Sequence, residues 1–186
     1  MAACFFLNHQ LVQEFNGIAL NNRGSERTDK PDIPYSIPIL SQDAVELLRY
    51  LGIDRAHIIG ISLGGCVATK LTLKHPDMVE SLILVSTYVH RIEPILSSRR
   101  LSKFLRLFLI GKRLHGALRQ HDAPRDHDAI ESLHEIDVPT LIVHRRRISS
   151  LQIDLQIDFS RRGGHVLALR AMGLVDIVSS YLPKQA

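Results

Sequence analysis

Two kinds of hydrophobic pattern alternate along this chain. One is a short apolar run, which predicts a buried strand, and it occurs at residues 56–62, 81–87 and 140–144. In the other, apolar residues recur every three to four positions, as at residues 42–51 and 64–75, which predicts helices. Gly52 and Pro76 directly follow these two stretches and predict where the helices end. Apolar strands separated by helices indicate an α/β fold, an open and mostly parallel sheet with helices on both faces.

Two further stretches predict strands less directly. Residues 17–22 form an apolar run before a proline-containing loop. Residues 151–159 alternate apolar and polar side chains, the pattern of a half-exposed edge strand. Only six residues separate this stretch from His144, whereas a parallel crossover needs about a dozen or more. If it pairs with residues 140–144, we therefore expect an antiparallel hairpin. The alternative is that residues 145–162 stay outside the sheet and return to its carboxyl edge.

A basic amphipathic segment lies between the predicted strands at residues 81–87 and 140–144. Residues 99–119 place apolar side chains on one helical face and basic ones on the other. We expect a helix within a reduced helical cap at residues 90–135, packed by its apolar face on the sheet domain. Docking of the basic face on an anionic membrane or partner is the alternative. The basic residues do not alternate with aromatic ones as base stacking requires, so nucleic-acid binding is not expected.

Composition narrows the class of protein. A length of 186 residues fits one domain over residues 1–186, and 45% hydrophobic with 23% charged residues excludes collagen-like and disordered chains. No apolar run approaches the roughly 20 residues of a membrane-spanning helix. The first seven residues lack the basic leader of a signal peptide, so we expect a cytoplasmic protein. Cys4 and Cys66 have no histidine at metal-ligand spacing, and no metal is expected.

The sequence GISLGG at residues 60–65 indicates chemistry, because this G-x-S-x-G pattern falls where a predicted strand meets a predicted helix. A sharp turn there forces Ser62 into a strained conformation and raises its hydroxyl above the carboxyl edge of the sheet. A Cβ on the neighbouring residues would collide with the strand and the helix, which accounts for Gly60, Gly64 and Gly65. The backbone N–H of Leu63 opens the helix and can stabilise an oxyanion.

A serine hydroxyl is a poor nucleophile until a base removes its proton, so this motif demands a histidine later in the chain. The chain has ten histidines. His165 is preferred because it follows Gly163 and Gly164 in a tight turn and precedes a helical pattern at residues 166–182. His144, at the end of a predicted strand, is the reserve candidate.

Several segments together resemble the α/β-hydrolase superfamily, particularly small esterases and lactonases similar to 3-oxoadipate enol-lactonase. They are residues 22–25, 28–31, 34–37, 51–57, 60–65, 75–76, 81–87, 138–143 and 164–165. The resemblance implies a serine hydrolase of a small carboxylic ester or lactone that works without a cofactor through an acyl-serine intermediate. It implies Ser62 as the nucleophile and His165 as the base.

The chain departs from that family pattern in two places. Family members open with further strands and a His-Gly loop that donates the second oxyanion N–H, and this sequence starts later. We therefore expect a sheet truncated at one edge, which could pair with a second copy as a homodimer. After Val143 the family has a Gly and then an Asp, whereas this chain reads HRRRISS, so Asp158 or Asp154 is the candidate acid. The alternative function is a catalytically weak or inactive hydrolase fold that serves as a binding module.

Overall fold

A computed structural model describes residues 15–25, 27–89, 112–143, 157–158, 178 and 181–182 of the chain. The strands within these ranges are β1 (Ala56–Ile61), β2 (Val79–Val85), β3 (Thr140–Val143) and β4 (Ile157–Asp158). The α-helices within them are α1 (Ile37–Tyr50), α2 (Leu63–Lys74) and α3 (Lys112–Asp122), with short 3₁₀ turns at Pro76–Met78 and Leu133–Glu135. The described strands form one sheet in the order β1-β2-β3-β4, and each neighbouring pair is parallel. The predicted α/β class and the parallel sheet are confirmed.

Helix α1 begins earlier than its apolar periodicity predicts, at Ile37 instead of residue 42. The side chain of Ser36 caps it by accepting a hydrogen bond from the Ile39 N–H at 3.4 Å. Pro38 lies in the first helical turn, where a missing N–H costs nothing, and so does not belong to the preceding loop. At the other end, Gly52 has φ +67° and its N–H donates to Arg49, which is the expected glycine terminator.

The predicted strand at residues 17–22 is wrong. These residues pair with no described strand, and Ile18 and Leu20 are 53% and 40% exposed. β1 lies at an edge of the described sheet, and this segment forms no ladder with it. An apolar run becomes a strand only where a partner satisfies its N–H and C=O groups.

The predicted antiparallel pairing of the alternating segment is also wrong, because β4 pairs parallel to β3, with Val143 opposite Asp158. The physical reason is the length of the connection. The described pairing joins Ile157–Asp158 to Ile142–Val143, and the thirteen residues 144–156 between them meet the length that a parallel crossover needs. The alternation at residues 151–159 suggested a longer strand and hence too short a connection.

Each face of the sheet is covered, as the apolar strands predict. On one face, Leu82 and Leu84 of β2 pack with Ala68 of α2. On the other, Ile83 and Val85 form a cluster with Val178 and Leu182. These four clustered side chains are each 6% exposed or less. Alternate residues of one strand therefore belong to two separate apolar layers.

Helix α3 confirms a helix over the last part of the basic amphipathic segment predicted at residues 99–119, of which residues 99–111 lie outside the described part, and the helical cap at residues 90–135 stays a prediction. It packs closely on the loop before α1, since a Cβ at Gly116 would collide with the backbone of Gly24. Gln120 Nε2 also donates to the Arg23 carbonyl oxygen at 2.7 Å. The described helices include none that is both long enough and apolar enough to cross a membrane.

A bidentate ion pair fastens the same loop to α1. Arg23 Nε donates to Asp43 Oδ2 at 2.6 Å, and a second guanidinium nitrogen contacts Oδ1. Both side chains are about a quarter exposed. We expect Asp43→Asn to lower the free energy of unfolding by roughly 1 kcal/mol, because it breaks a geometrically fixed, partly desolvated pair. Urea unfolding measures this. Glu46→Gln is the control, since the Glu46–Arg49 pair is more than half exposed and should contribute little.

The burial of His127 is expected to make the stability of the fold depend on pH. It is 6% exposed, and its Nε2 has no hydrogen-bond partner among the described residues. Burial lowers the pKa of His127, and the nearby Lys70 lowers it further. A depressed folded-state pKa means that the neutral ring is favoured on folding, so stability is retained above about pH 6.5 and lost as pH falls through the folded value.

We therefore expect the melting temperature to drop between pH 7.5 and pH 5, and to drop less in His127→Phe. His134→Gln, a change at an exposed histidine, is the matched control and should keep the wild-type profile. Equal pH profiles for wild type and His127→Phe would contradict the role of His127.

Candidate functional site

Ser62 occupies the turn between β1 and α2 in a strained backbone conformation. Its φ is 53° and its ψ is −119°, whereas the flanking residues Ile61 and Leu63 already belong to the strand and the helix. A non-glycine residue at positive φ costs of order 1–3 kcal/mol and persists only where its surroundings hold it. Strand, turn and helix thus follow one another without a spacer, as the sequence predicts.

Hydrogen bonds from the neighbouring strand and its extension hold this turn in place. The Ser62 N–H donates to the Val85 carbonyl oxygen at 3.0 Å, so the residue continues the ladder between β1 and β2. Its own carbonyl oxygen accepts from Thr87 Oγ1 at 2.7 Å and from the Gly65 N–H at 2.9 Å. Because three bonds fix the peptide groups of Ser62, its side chain stays at the carboxyl edge of the sheet.

Of the three glycines around Ser62, Gly60 and Gly65 are needed for steric reasons. A Cβ on Gly60 would lie 2.6 Å from both the Gly64 oxygen and the Gly65 Cα, and one on Gly65 would collide with the Thr87 side chain. A Cβ on Gly64 would meet nothing within 4 Å. The steric reason that the sequence suggested for all three therefore applies to Gly60 and Gly65, and Gly64 leaves open space beside the turn.

The start of α2 lies directly after Ser62. Leu63 is the first residue of this helix, and the first N–H groups of a helix have no intrahelical acceptor and carry partial positive charge. The helix N-terminus therefore places favourable electrostatics for a developing anion beside the Ser62 hydroxyl. The assignment of the Leu63 N–H to an oxyanion hole stays a prediction.

Ser86 is a second strained serine at this edge and was not singled out from the sequence. It follows β2 with φ 47°, and its N–H donates to the Val143 carbonyl oxygen at 2.9 Å. Since Ile61 pairs with Val85, Ser62 and Ser86 leave adjacent strands side by side. No sequence pattern marks this position, because serine has no preference for positive φ.

Cys66 lies one turn into α2 and is buried. Its Sγ donates to the Tyr88 carbonyl oxygen at 3.3 Å, and burial raises the pKa of the thiol. A thiol with a raised pKa is a poor nucleophile and a poor metal ligand at neutral pH. Within the described ranges, no group of three or more His, Cys, Asp or Glu side chains could hold a metal ion.

The partners predicted for Ser62 lie mostly outside the described residues. His165, the reserve His144 and the candidate acid Asp154 fall in that part of the chain. Asp158 is described only as the last residue of β4. The paired residues Ile61, Val85, Val143 and Asp158 form one row across the sheet, so β4 ends at the same edge as β1.

Known proteins share both the sequence pattern and the fold. A family model described as the alpha/beta hydrolase fold matches residues 3–110. An uncharacterized protein of Mycobacterium tuberculosis is 40% identical over 77 residues, which is 41% of this chain and 23% of that protein. The chain thus spans about a quarter of the length of this curated relative.

Solved structures agree on the fold. An esterase from Exiguobacterium antarcticum superposes with a TM-score of 0.71 at 20% identity, covering 97% of this chain and 86% of that one. The enol-lactonase from Burkholderia xenovorans gives a TM-score of 0.66 at 17% identity, covering 87% and 78%. Since the family model matches more than half of the residues, this chain belongs to the alpha/beta hydrolase fold family.

Proposed function

We propose that this chain is a serine hydrolase of a small carboxylic ester or lactone that acts through an acyl-Ser62 intermediate. The observation that carries the proposal is the strained Ser62 between β1 and α2, with φ 53°. Strain of this kind gathers at functional sites, and a structural turn would adopt it more cheaply with glycine. The esterase and enol-lactonase of similar fold support the substrate class.

The reaction would proceed in two halves. Ser62 Oγ attacks the ester carbonyl carbon while His165 accepts the hydroxyl proton, and the Leu63 N–H stabilises the tetrahedral oxyanion. Collapse breaks the ester bond, and the proton on His165 passes to the departing alkoxide. Water then attacks the acyl-enzyme with His165 as base, which releases the acid and restores Ser62. A lactone leaves as one hydroxy acid, because its alkoxide stays attached to its acyl group.

The parallel direction of β4 supports the return of His165 to this site. The axes of β1 and β4 are three strand spacings apart, about 14 Å at roughly 4.8 Å each. Residues 159–164 connect Asp158 to His165 and can extend over about 20 Å. An antiparallel strand would have led the chain to the other edge. Asp158, at the end of β4, or Asp154 would orient the imidazole.

The second candidate function is a binding module of the same fold without useful turnover. It is favoured by one feature of the sequence, the absence of any carboxylate from residues 144–150, where the family has its acid. Without an orienting acid, the histidine adopts the wrong tautomer and the rate falls by several orders of magnitude. The two candidates share the fold and differ in the reactivity of Ser62.

Labelling with a fluorophosphonate separates them. Attack by an activated Ser62 Oγ on phosphorus expels fluoride and leaves a stable adduct, which mass spectrometry of peptides can assign to Ser62. We expect wild type to be labelled and Ser62→Ala to be unlabelled. An unreactive wild-type protein that is folded by circular dichroism would favour the binding module, and an adduct at another serine would contradict Ser62 as nucleophile.

A further inference from the structure

The amino edge of the sheet contains a β-bulge. Ala56 pairs with Val79, but the next residue, His57, pairs with Ser81, so Glu80 is an extra residue in β2. Bulges are rare between parallel strands, they re-aim side chains, and they are over-represented next to active sites. Here the bulge lets two consecutive residues, Glu80 and Ser81, both contact His57.

Both ring nitrogens of His57 have partners. Nδ1 lies 2.8 Å from Ser81 Oγ, and Nε2 lies 3.1 Å from Glu80 Oε2. An ionised carboxylate only accepts hydrogen bonds, so in the neutral ring Nε2 carries the proton and Nδ1 accepts from the Ser81 hydroxyl. The second oxygen of Glu80 and a lone pair of Ser81 Oγ remain able to accept from a ligand.

An open cavity of about 350 Å³ lies against these three side chains, and Arg55, Pro139 and Tyr181 complete its wall. This volume lies within the roughly 300–1,000 Å³ of small-molecule sites. Along β1, His57 and Ser62 are five residues apart, which puts the cavity about 16 Å from Ser62. The cavity is therefore separate from the proposed catalytic site.

One polar wall residue offers donors to a ligand. Arg55 is exposed, and within the described ranges its guanidinium makes one long hydrogen bond, to the Val79 carbonyl oxygen at 3.4 Å. The phenolic oxygen of Tyr181 is buried, so it is not exposed to a ligand in the open cavity.

We propose that this cavity binds a small organic carboxylate that carries a second hydrogen-bond donor, either a hydroxyl or an ammonium group. Arg55 supplies donors for the carboxylate, and Glu80 and Ser81 accept from the second group. The charges of Arg55 and Glu80 cancel while His57 is neutral. A doubly charged phosphate would be poorly compensated here, which favours a singly charged carboxylate.

Isothermal titration calorimetry with 4-hydroxybutyrate, 4-aminobutyrate and butyrate tests this on the full chain. At least one of the first two should bind roughly tenfold or more tightly than butyrate, which lacks the second donor. Arg55→Gln should weaken that ligand roughly tenfold or more, because it removes the charge-assisted hydrogen bonds to the carboxylate. If the donor is an ammonium group, Glu80→Gln should weaken 4-aminobutyrate more than 4-hydroxybutyrate.

Two controls keep the result specific. Arg125→Gln removes an exposed arginine outside the cavity and should leave the affinity unchanged. Ser62→Ala should also leave it unchanged, so that binding here is judged separately from hydrolysis. Equal affinity for all three compounds, no binding at millimolar concentration, or full affinity in Arg55→Gln would overturn the proposal.

Discussion

Ser62→Ala is expected to lower the turnover of a small activated ester, such as 4-nitrophenyl acetate, by roughly 10³-fold or more. Alanine keeps the Cβ, so the strained backbone and its bonds to Val85 and Thr87 can persist while the nucleophilic oxygen is lost. The loss should fall on kcat, because the acyl-enzyme can no longer form. Release of nitrophenolate, followed by its absorbance, measures the effect.

Ser86→Ala provides the matched control. Ser86 also has a positive φ, 47°, and leaves the adjacent strand at the same edge. Because the proposal gives its hydroxyl no part in the reaction, turnover should stay within a few-fold of wild type. Comparable losses in both variants, or wild-type turnover in Ser62→Ala, would show that the chemistry does not depend on Ser62 as nucleophile.

Gly60→Ala is expected to lower the free energy of unfolding by roughly 3 kcal/mol and to reduce activity. The new Cβ would lie 2.6 Å from the Gly64 oxygen and from the Gly65 Cα. Both atoms belong to the backbone of α2, so relief of the contact requires the helix to move away from β1. Chemical denaturation followed by circular dichroism measures the loss.

Gly64→Ala tests the same kind of substitution a few residues away. A Cβ there would meet nothing within 4 Å, and alanine is favoured over glycine in a helix by up to about 1 kcal/mol. We expect unchanged or slightly higher stability. Similar destabilisation by Gly60→Ala and Gly64→Ala would mean that the close approach of β1 and α2 does not determine the stability of this turn.

Local sequence patterns were sufficient for the central part of the fold. The run at residues 56–62, followed at once by helical periodicity, predicted the strand, the turn at Ser62 and the helix. These features depend on contacts between residues close in sequence, and continuously apolar strands correctly indicated parallel pairing. The position of Ser62 in the turn between β1 and α2 could therefore be predicted.

Features that depend on a distant partner could not be predicted. Residues 17–22 have the composition of a strand, but whether they pair depends on a neighbouring backbone. The direction of β4 depended on which residues of the alternating segment pair with β3, among them Ile157, and alternation does not reveal this. The bulge at Glu80 and the positive φ of Ser86 likewise arise from register across the sheet, and register has no local signature in the sequence.

The order in which the chain is synthesised limits when this sheet can be completed. Ile83 and Val85 form one apolar cluster with Val178 and Leu182, yet almost a hundred residues separate the two halves of that cluster. During translation, β1, β2 and α2 can assemble before Val178 and Leu182, which cover part of that face, have been made. Until then Ile83 and Val85 lack these two contacts, so part of their apolar surface is open to a chaperone.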